Sequence, residues 1–523
     1  MNDAKYDSIG QSLMLSFAGP EATPALLAAL ADIRPCGIIL FADNIRTPAE
    51  LYTLISTLQA HAATLGLPPL LIGIDQEGGT VSRLPAPFVT VPSQMAQTAT
   101  GDPAVAYRCA SITGQQLRAF GINTVFAPVL DINCNPANPV IGTRAWGQDT
   151  ATVTTFGLEA LRGYRDTGVI ATAKHFPGHG DTAIDSHLGL PTVRHGRSRL
   201  EAMELAPFVA AIKAGVPALM TAHIIFEALD TLPATLSHTI LNELLRAELG
   251  YDGVIFTDAL DMQAISGTYG PIEAALRSKA AGADVLMPLG TLAAQQRIAQ
   301  ALRAAVTDGR LPRAAFEDTA RRLDALRSAY TLTHELPRFA EPEPTLAQAA
   351  LDIARRGITL VRGGAELPLP HTTRLALIDC IQPRFSLVET ELERAEMFST
   401  LVQAAFPHTT PLTLGPEPTD ADLLAARALA QDCDMTLLIT RNAALIEPQA
   451  RLAQALTARG RVIHAAVRSP YDADVVPDAT TTLLAYGDPA VSLHALVDVL
   501  AGRVPATGIL PVTLGSVIQT REA

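Results

Sequence analysis

The stretch IATAKHFPGHGDTAIDSH, residues 170–187, decides the fold. It opens as a short apolar run of the kind that fills a buried strand. It then turns abruptly into Lys174 and His175 and continues as a glycine-punctuated loop carrying His179, Asp181, Asp185 and His187. A buried strand that ends in ionisable side chains is what a (β/α)8 barrel requires, because its active site forms where the strands end and the following loops begin. Seven further short apolar runs recur along the chain: LMLSF (13–17), GIILF (37–41), LLIGID (70–75), NTVFAPV (123–129), ALMTAH (218–223), VIFTD (254–258) and DVLMPL (284–289). Segments of helical period separate them. PAELYTLISTLQAHAATLG (48–66) stops at Gly66, and SHTILNELLRAELG (237–250) opens on a capping Ser237 and stops at Gly250. Asp75, Lys174, His175, His223 and Asp258 all close expected strands.

The barrel accounts for residues 1–331. A proline-rich acidic segment, 332–345, then reads as a linker. From 346 to 523, runs such as GITLVR, RLALIDC, DMTLLIT, RVIHAAV and TTLLAYG alternate with helix-like stretches, so a smaller α/β sandwich domain with a mainly parallel sheet is expected. Glu389, Glu391, Glu393 and Glu396 in that domain read as a solvated helix face.

Bulk composition narrows the function. A chain of 523 residues, 48% hydrophobic and 17% charged, is expected to be globular. Its net charge of −13, with no basic run, argues against a nucleic-acid partner. The first twenty residues do not read as a signal peptide, and no apolar stretch reaches membrane-span length. Five cysteines, widely spaced and without a CxxC pair, suit reduced thiols in a cytoplasm and disfavour a zinc-thiolate site. Nothing in the sequence fixes an oligomeric state.

The opening stretch supports two chemistries. Asp185 and His187, two positions apart, suit a carboxylate–imidazole pair that moves protons near neutrality. Alternatively, His175, His179, Asp181, Asp185 and His187 assemble the metal site of a barrel hydrolase. His179 and Asp181, beside Gly178 and Gly180, read as loop fasteners, with the glycines as joints. In GVIFTDALDM (253–262) Asp258 just past an apolar strand suits a nucleophilic carboxylate, and Asp261 suits a helix cap. In GIDQEGGTVSRL (73–84) Asp75 suits two sugar hydroxyls, and Glu77 a local salt bridge. Arg144, Lys174 and His175 add fixed donors. Trp146 reads as core or pocket wall, and His223 as core. A sugar-binding protein without catalysis is a third class of reading.

These motifs together resemble glycoside hydrolase family 3, in its β-N-acetylglucosaminidase branch. KHFPGHGDTAIDSH is similar to that branch's signature, GIDQEGG with Arg83 to its substrate loop, and FTDALDM to the segment that carries its nucleophile. The resemblance covers about residues 8–330; AVRSPYD (466–472) is the recognisable piece of the second domain. It implies Asp258 as nucleophile, His187 as acid/base with Asp185 orienting it, and Asp75, Arg83, Arg144, Lys174 and His175 as ligands of the terminal sugar. It also implies retaining exo-hydrolysis of β-linked N-acetylglucosamine from peptidoglycan or chitin fragments, with no metal or cofactor. Thr80 departs from the arginine that the family often carries after the paired glycines. Imidazole starts near 6.5 and needs only an orienting partner to work near neutrality. Because it repels anions less than a carboxylate does, phosphorolysis by the same residues is the alternative outcome.

Overall fold

The computed structural model describes residues 8–182, 185, 189–381, 386–390, 395–458 and 460–515. Among these, eight strands pair in sequence order into one all-parallel sheet: β1 (Met14–Leu15), β2 (Gly37–Leu40), β3 (Leu71–Ile74), β4 (Thr124–Val125), β5 (Ile170–Phe176), β6 (Ala218–Thr221), β7 (Val254–Ala259) and β8 (Val285–Met287). A parallel bridge between Leu13 and Leu286, with the Leu286 N–H donating to the Ser12 carbonyl at 2.8 Å, brings the last strand back to the first. The result is a nearly closed barrel, and each strand lies on one of the eight apolar runs.

Those runs are almost continuously apolar because both faces of the barrel wall are buried. Met14, Ile39, Leu71, Phe126, Met220, Phe256 and Val285 pack together in one cluster. Their neighbours Leu15, Ile38, Leu40, Ile72 and Ile255 pack into a second cluster with the helices. Gly73 interrupts β3 because a Cβ there would lie 3.0 Å from the Phe126 ring, which meets Phe256 edge-on at 5.6 Å. The helix Pro48–Thr64 starts where Thr47 Oγ1 accepts the Glu50 N–H at 3.2 Å, and Gly66 follows it at φ +65°. Ser237 Oγ caps the helix Thr239–Glu248 by accepting the Ile240 N–H at 3.0 Å.

Beyond the last barrel helix, Ala314–Ala329, the chain runs irregularly over the barrel. There Phe339 meets Tyr52 and Phe120 edge-on. The second sheet has six strands: β9 (Thr359–Arg362), β10 (Leu375–Cys380), β11 (Thr409–Leu414), β12 (Met435–Thr440), β13 (Val462–Ala466) and β14 (Thr481–Leu484). Their spatial order is β9-β14-β13-β12-β10-β11, parallel except for the β9–β14 pair. Strand order reverses between β10 and β12, the place where sheets of this type open a crevice. Arg441 fills that place here, reaching Asp379 and, through Nε at 3.1 Å, Asp488. All three side chains are almost wholly buried.

The two domains share cores. Met95, Ala96 and Ala99 cluster with Tyr471, Leu484, Tyr486 and Val512, while Val91, Val105 and Ile112 cluster with Ala350 and Ile353. Ser93 Oγ donates to the Tyr486 carbonyl at 2.6 Å, and Asn133 Nδ2 to Tyr471 Oη at 3.0 Å. Glu389 corrects the expectation of a solvated helix face: it lies in no helix and pairs with Arg468 at 3.0 Å. Glu391, Glu393 and the side chain of Glu396 lie outside the described residues.

Arg441→Ala takes the cation from the buried Asp379 and leaves Asp488 with Arg468 alone, which is expected to cost about 3–5 kcal/mol. A urea titration that follows the C-terminal domain would show this as a lower midpoint. A midpoint equal to wild type would contradict the structural role given to Arg441.

Candidate active site

The strand ends converge on a cavity of about 350 Å³ at the mouth of the barrel. This lies in the size range of small-molecule sites. Asp75, Arg83, Arg144, Lys174, His175 and Asp258 all line it, and so do Asp261 and His179.

Local backbone explains how these side chains get there. Asp75 follows β3 directly, and the chain then folds into a hairpin, Gln76–Gly78 against Val81–Ser82. Its turn runs through Gly78 at φ +90° and Gly79 at φ +59°, where Cβ atoms would lie 2.7 Å from Val91 Cγ2 and from Ser93 Cβ. Only glycine fits both the left-handed backbone and the space. The hairpin carries Glu77 beneath Asp75. Glu77 receives Arg144 through two hydrogen bonds, Nε at 2.9 Å and Nη2 at 2.8 Å. Lys174 Nζ bridges Glu77 and Asp75 at 2.7 Å each.

Glu77, Arg144 and Lys174 have side chains at most 5% exposed. Burial alone would raise the Glu77 carboxyl, but Arg144 and Lys174 outweigh it and hold it well below the usual carboxylate range. Burial likewise pulls Lys174 down, yet Asp75 and Glu77 leave it above the ordinary ammonium value. Both cations are therefore permanent and fixed in direction. Glu77 does form a salt bridge, as the sequence suggested, but with partners 67 and 97 residues away rather than within its own turn.

On the other side of the cavity, the Asp131 carboxylate takes His175 Nδ1 at 2.7 Å, the His175 N–H at 3.1 Å and the His179 N–H at 2.7 Å. An ionised acceptor at Nδ1 places that nitrogen's proton between ring and carboxylate, which turns Nε2 into the ring's position for a ligand. Asp131 was missing from the sequence reading. Its signal was available: it follows the run that ends at Val129, as Asp75 follows β3. Asn138 was missed as well. Its Nδ2 donates to the His179 and Gly180 carbonyls at 2.8 and 2.9 Å, fastening the loop from a neighbouring connection.

Asp258 lies inside β7 rather than at a helix start. Its Oδ1 accepts the Ala259 N–H at 2.8 Å. The Ala259 carbonyl accepts from His223 Nε2 at 2.9 Å, so the buried His223 braces the backbone beside the carboxylate. Asp261 corrects the expectation of a cap: the next helix, Gln263–Tyr269, starts after Met262 without a side-chain cap, and Asp261 faces the cavity. Trp146 stands in the core, stacked on Phe156 at 5.7 Å.

The glycines of the 178–180 loop are closely packed positions. A Cβ on Gly180 would fall 1.6 Å from the Ile132 carbonyl oxygen, and one on Gly178 would lie 2.9 Å from Glu204 Cβ. Asp185 is buried, and its Oδ2 accepts from Ser386 Oγ at 2.8 Å. His187 lies outside the described residues. The described residues suggested for a metal site do not converge as one donor set: His175 Nδ1 meets Asp131, His179 Nδ1 meets Thr182 Oγ1 at 3.0 Å, and Asp181 pairs with His195 at 2.5 Å. Among the described residues, Cys134, Asp181 and Glu204 stand close enough to hold an ion. They do not line the cavity, and Arg199 already sits on Cys134 and Glu204, at 3.7 and 3.1 Å.

The model of the glycosyl hydrolase family 3 N-terminal domain matches residues 7–326, across this barrel and its mouth. The chain belongs to glycoside hydrolase family 3. Among its relatives, beta-hexosaminidase A of Pseudoalteromonas piscicida is 39% identical over 323 residues, covering 54% of this chain and 53% of that protein. The beta-hexosaminidase of Alkalilimnicola ehrlichii is 38% identical over 282 residues, covering 53% and 79%. The chain thus spans about half the length of the first relative. The solved structure of a family 3 β-N-acetylglucosaminidase from Paenibacillus sp. str. FPU-7 superposes with a TM-score of 0.91 at 38% identity, over 97% of this chain and 98% of that one. A beta-glucoside phosphorylase shares the fold, with a TM-score of 0.82 at 21% identity.

Within this family 3 site, His179 gives a pH signature. Burial, with His175 beside it, lowers its pKa from 6.5 to about 4. The unfolded chain takes up a proton below 6.5 that the folded state refuses. The stabilisation is therefore complete above 6.5 and is lost as pH falls toward 4, by about 3 kcal/mol. Glu77 contributes its own loss only below about 4.3, the ordinary glutamate value. Thermal melting of His179→Gln between pH 6.5 and 4.5 should show a flatter decline than wild type; parallel declines would contradict the assignment.

Proposed function

We propose that the chain is a retaining exo-β-N-acetylglucosaminidase that releases terminal β-linked N-acetylglucosamine. The observation that carries this reading is the cavity itself, in which Asp258 faces the same space as Asp75, Lys174, Arg144, Arg83 and His175. The names of the similar proteins, beta-hexosaminidases and a β-N-acetylglucosaminidase, support the sugar class.

Asp75 accepts from Lys174 through Oδ1 and presents Oδ2, 4.0 Å from Arg83 Nη2, to sugar hydroxyls. Lys174, Arg144 and Arg83 supply directed donors, and His175 supplies Nε2. The sugar is thereby held with its anomeric carbon toward Asp258, which attacks it and forms a glycosyl ester. His187, oriented by Asp185, gives its proton to the departing oxygen. In the second half it takes a proton from the water that displaces Asp258, so two inversions give net retention. The role of His187 rests on the sequence resemblance and on the buried Asp185 two residues before it.

Peptidoglycan or chitin fragments are the substrates we propose. The five cysteines are free thiols, which fits a reducing compartment such as the cytoplasm. No helix among the described residues is long and apolar enough to cross a membrane.

Asp258→Asn should lower turnover of an aryl N-acetyl-β-glucosaminide by at least about a thousandfold with an unchanged melting temperature. Near-normal turnover would remove Asp258 as nucleophile. His187→Ala should lose about 10²–10⁴-fold on a disaccharide and less on an aryl glycoside whose leaving group needs no proton. The wild-type product should be free N-acetylglucosamine with or without phosphate in the buffer; a sugar 1-phosphate would make the chain a phosphorylase.

A further inference from the structure

The segment 386–390 belongs to the C-terminal domain, in the connection between β10 and β11, yet it reaches the barrel mouth at three points. Ser386 Oγ donates to Asp185 Oδ2 at 2.8 Å, with both residues buried. The Thr390 N–H donates to the Thr80 carbonyl at 2.9 Å. Arg83 donates to Thr390 Oγ1 at 2.8 Å and to the Val388 carbonyl at 2.7 Å. Leu387 and Val388 themselves line the cavity.

A buried chain of charges mounts this segment. Glu389 pairs with Arg468 at 3.0 Å, Arg468 with Asp488 at 3.1 Å, and Asp488 with Arg441 at 3.1 Å. Arg441 also donates to the Cys380 carbonyl at 2.8 Å, where the connection leaves β10. The segment is therefore held at its root and again at Glu389.

We propose that Ser386 is a positioning residue for proton transfer, supplied by the C-terminal domain to the barrel loop that carries Asp185. This inference rests on the proposed roles of Asp185 and His187. A carboxylate can aim an imidazole only if it is itself held. The Ser386 hydroxyl takes Oδ2 and fixes the carboxylate's plane, and as a donor it favours the ionised form that a protonated imidazole needs beside it. The carboxylate proposed to orient the proton donor is thus itself held by a residue 201 positions away.

Wild type, Ser386→Ala and Ser386→Thr, each checked by thermal melting, should be compared on a disaccharide of N-acetylglucosamine and on an aryl glycoside of an acidic phenol, with and without azide. Azide attacks the glycosyl ester without needing a base. Ser386→Ala should lower kcat on the disaccharide about tenfold with KM within about twofold. On the aryl glycoside, azide should bring Ser386→Ala back to within about twofold of wild type, and Ser386→Thr should recover at least half of the disaccharide rate without azide. Losses equal on both substrates and indifferent to azide would reduce Ser386 to a structural contact and overturn the inference, as would a disaccharide rate equal to wild type. A wild type that turns over neither substrate would overturn the proposed activity and this inference with it.

Discussion

A carboxylate buried as deeply as Glu77 exists only because two cations meet it, and that constraint organises the barrel mouth. An isolated ion at that depth would be unaffordable, and losing one partner of a buried pair costs about 3–5 kcal/mol. The hairpin after β3, the 3₁₀ turn Gly142–Arg144 and the end of β5 must therefore arrive together for the charges to balance. Asp75 closes the set by sharing Lys174. A ligand entering this site meets donors and acceptors that are already desolvated and aimed, which is how preorganised polar groups discriminate a charge-developing transition state from a ground state.

A second constraint comes from across the chain. The helix Gln94–Ala99 is buried along its whole length because it lies between the domains, where Met95, Ala96 and Ala99 pack into the cluster around Tyr486. The segment 386–390 is thereby an active-site wall with a fixed address. Thr80 fits this arrangement: its carbonyl serves Thr390, and the narrow cleft beside it is shared by Arg144, Glu389 and Arg468.

Local pattern made the barrel legible. Eight apolar runs, four of them ending in Asp75, Lys174 and His175, His223 or Asp258, are a signal that burial on both faces of a parallel wall imposes directly. Asp131, just beyond one of these runs, was legible by the same signal, whereas Asn138 was hidden because its significance lies in whom it bonds, not in spacing. Ser386 and Thr390 were further out of reach, since a contact spanning some 200 or 300 residues leaves no periodic trace. Asp261 and Glu389 were misread for a related reason. Acidic residues near an expected helix have a generic explanation, and only the packed structure turns one toward the cavity and pairs the other with Arg468.

The central claim is that the carboxylate inside β7 bonds covalently to the sugar. A fluorinated N-acetylglucosaminyl fluoride, which forms the ester faster than water can remove it, would trap that state for peptide mass spectrometry. The account predicts one sugar per chain, attached to the peptide containing Asp258 and to that residue on fragmentation. An adduct on Asp261 or Asp75, or no adduct from an enzyme that still hydrolyses the parent glycoside, would contradict it.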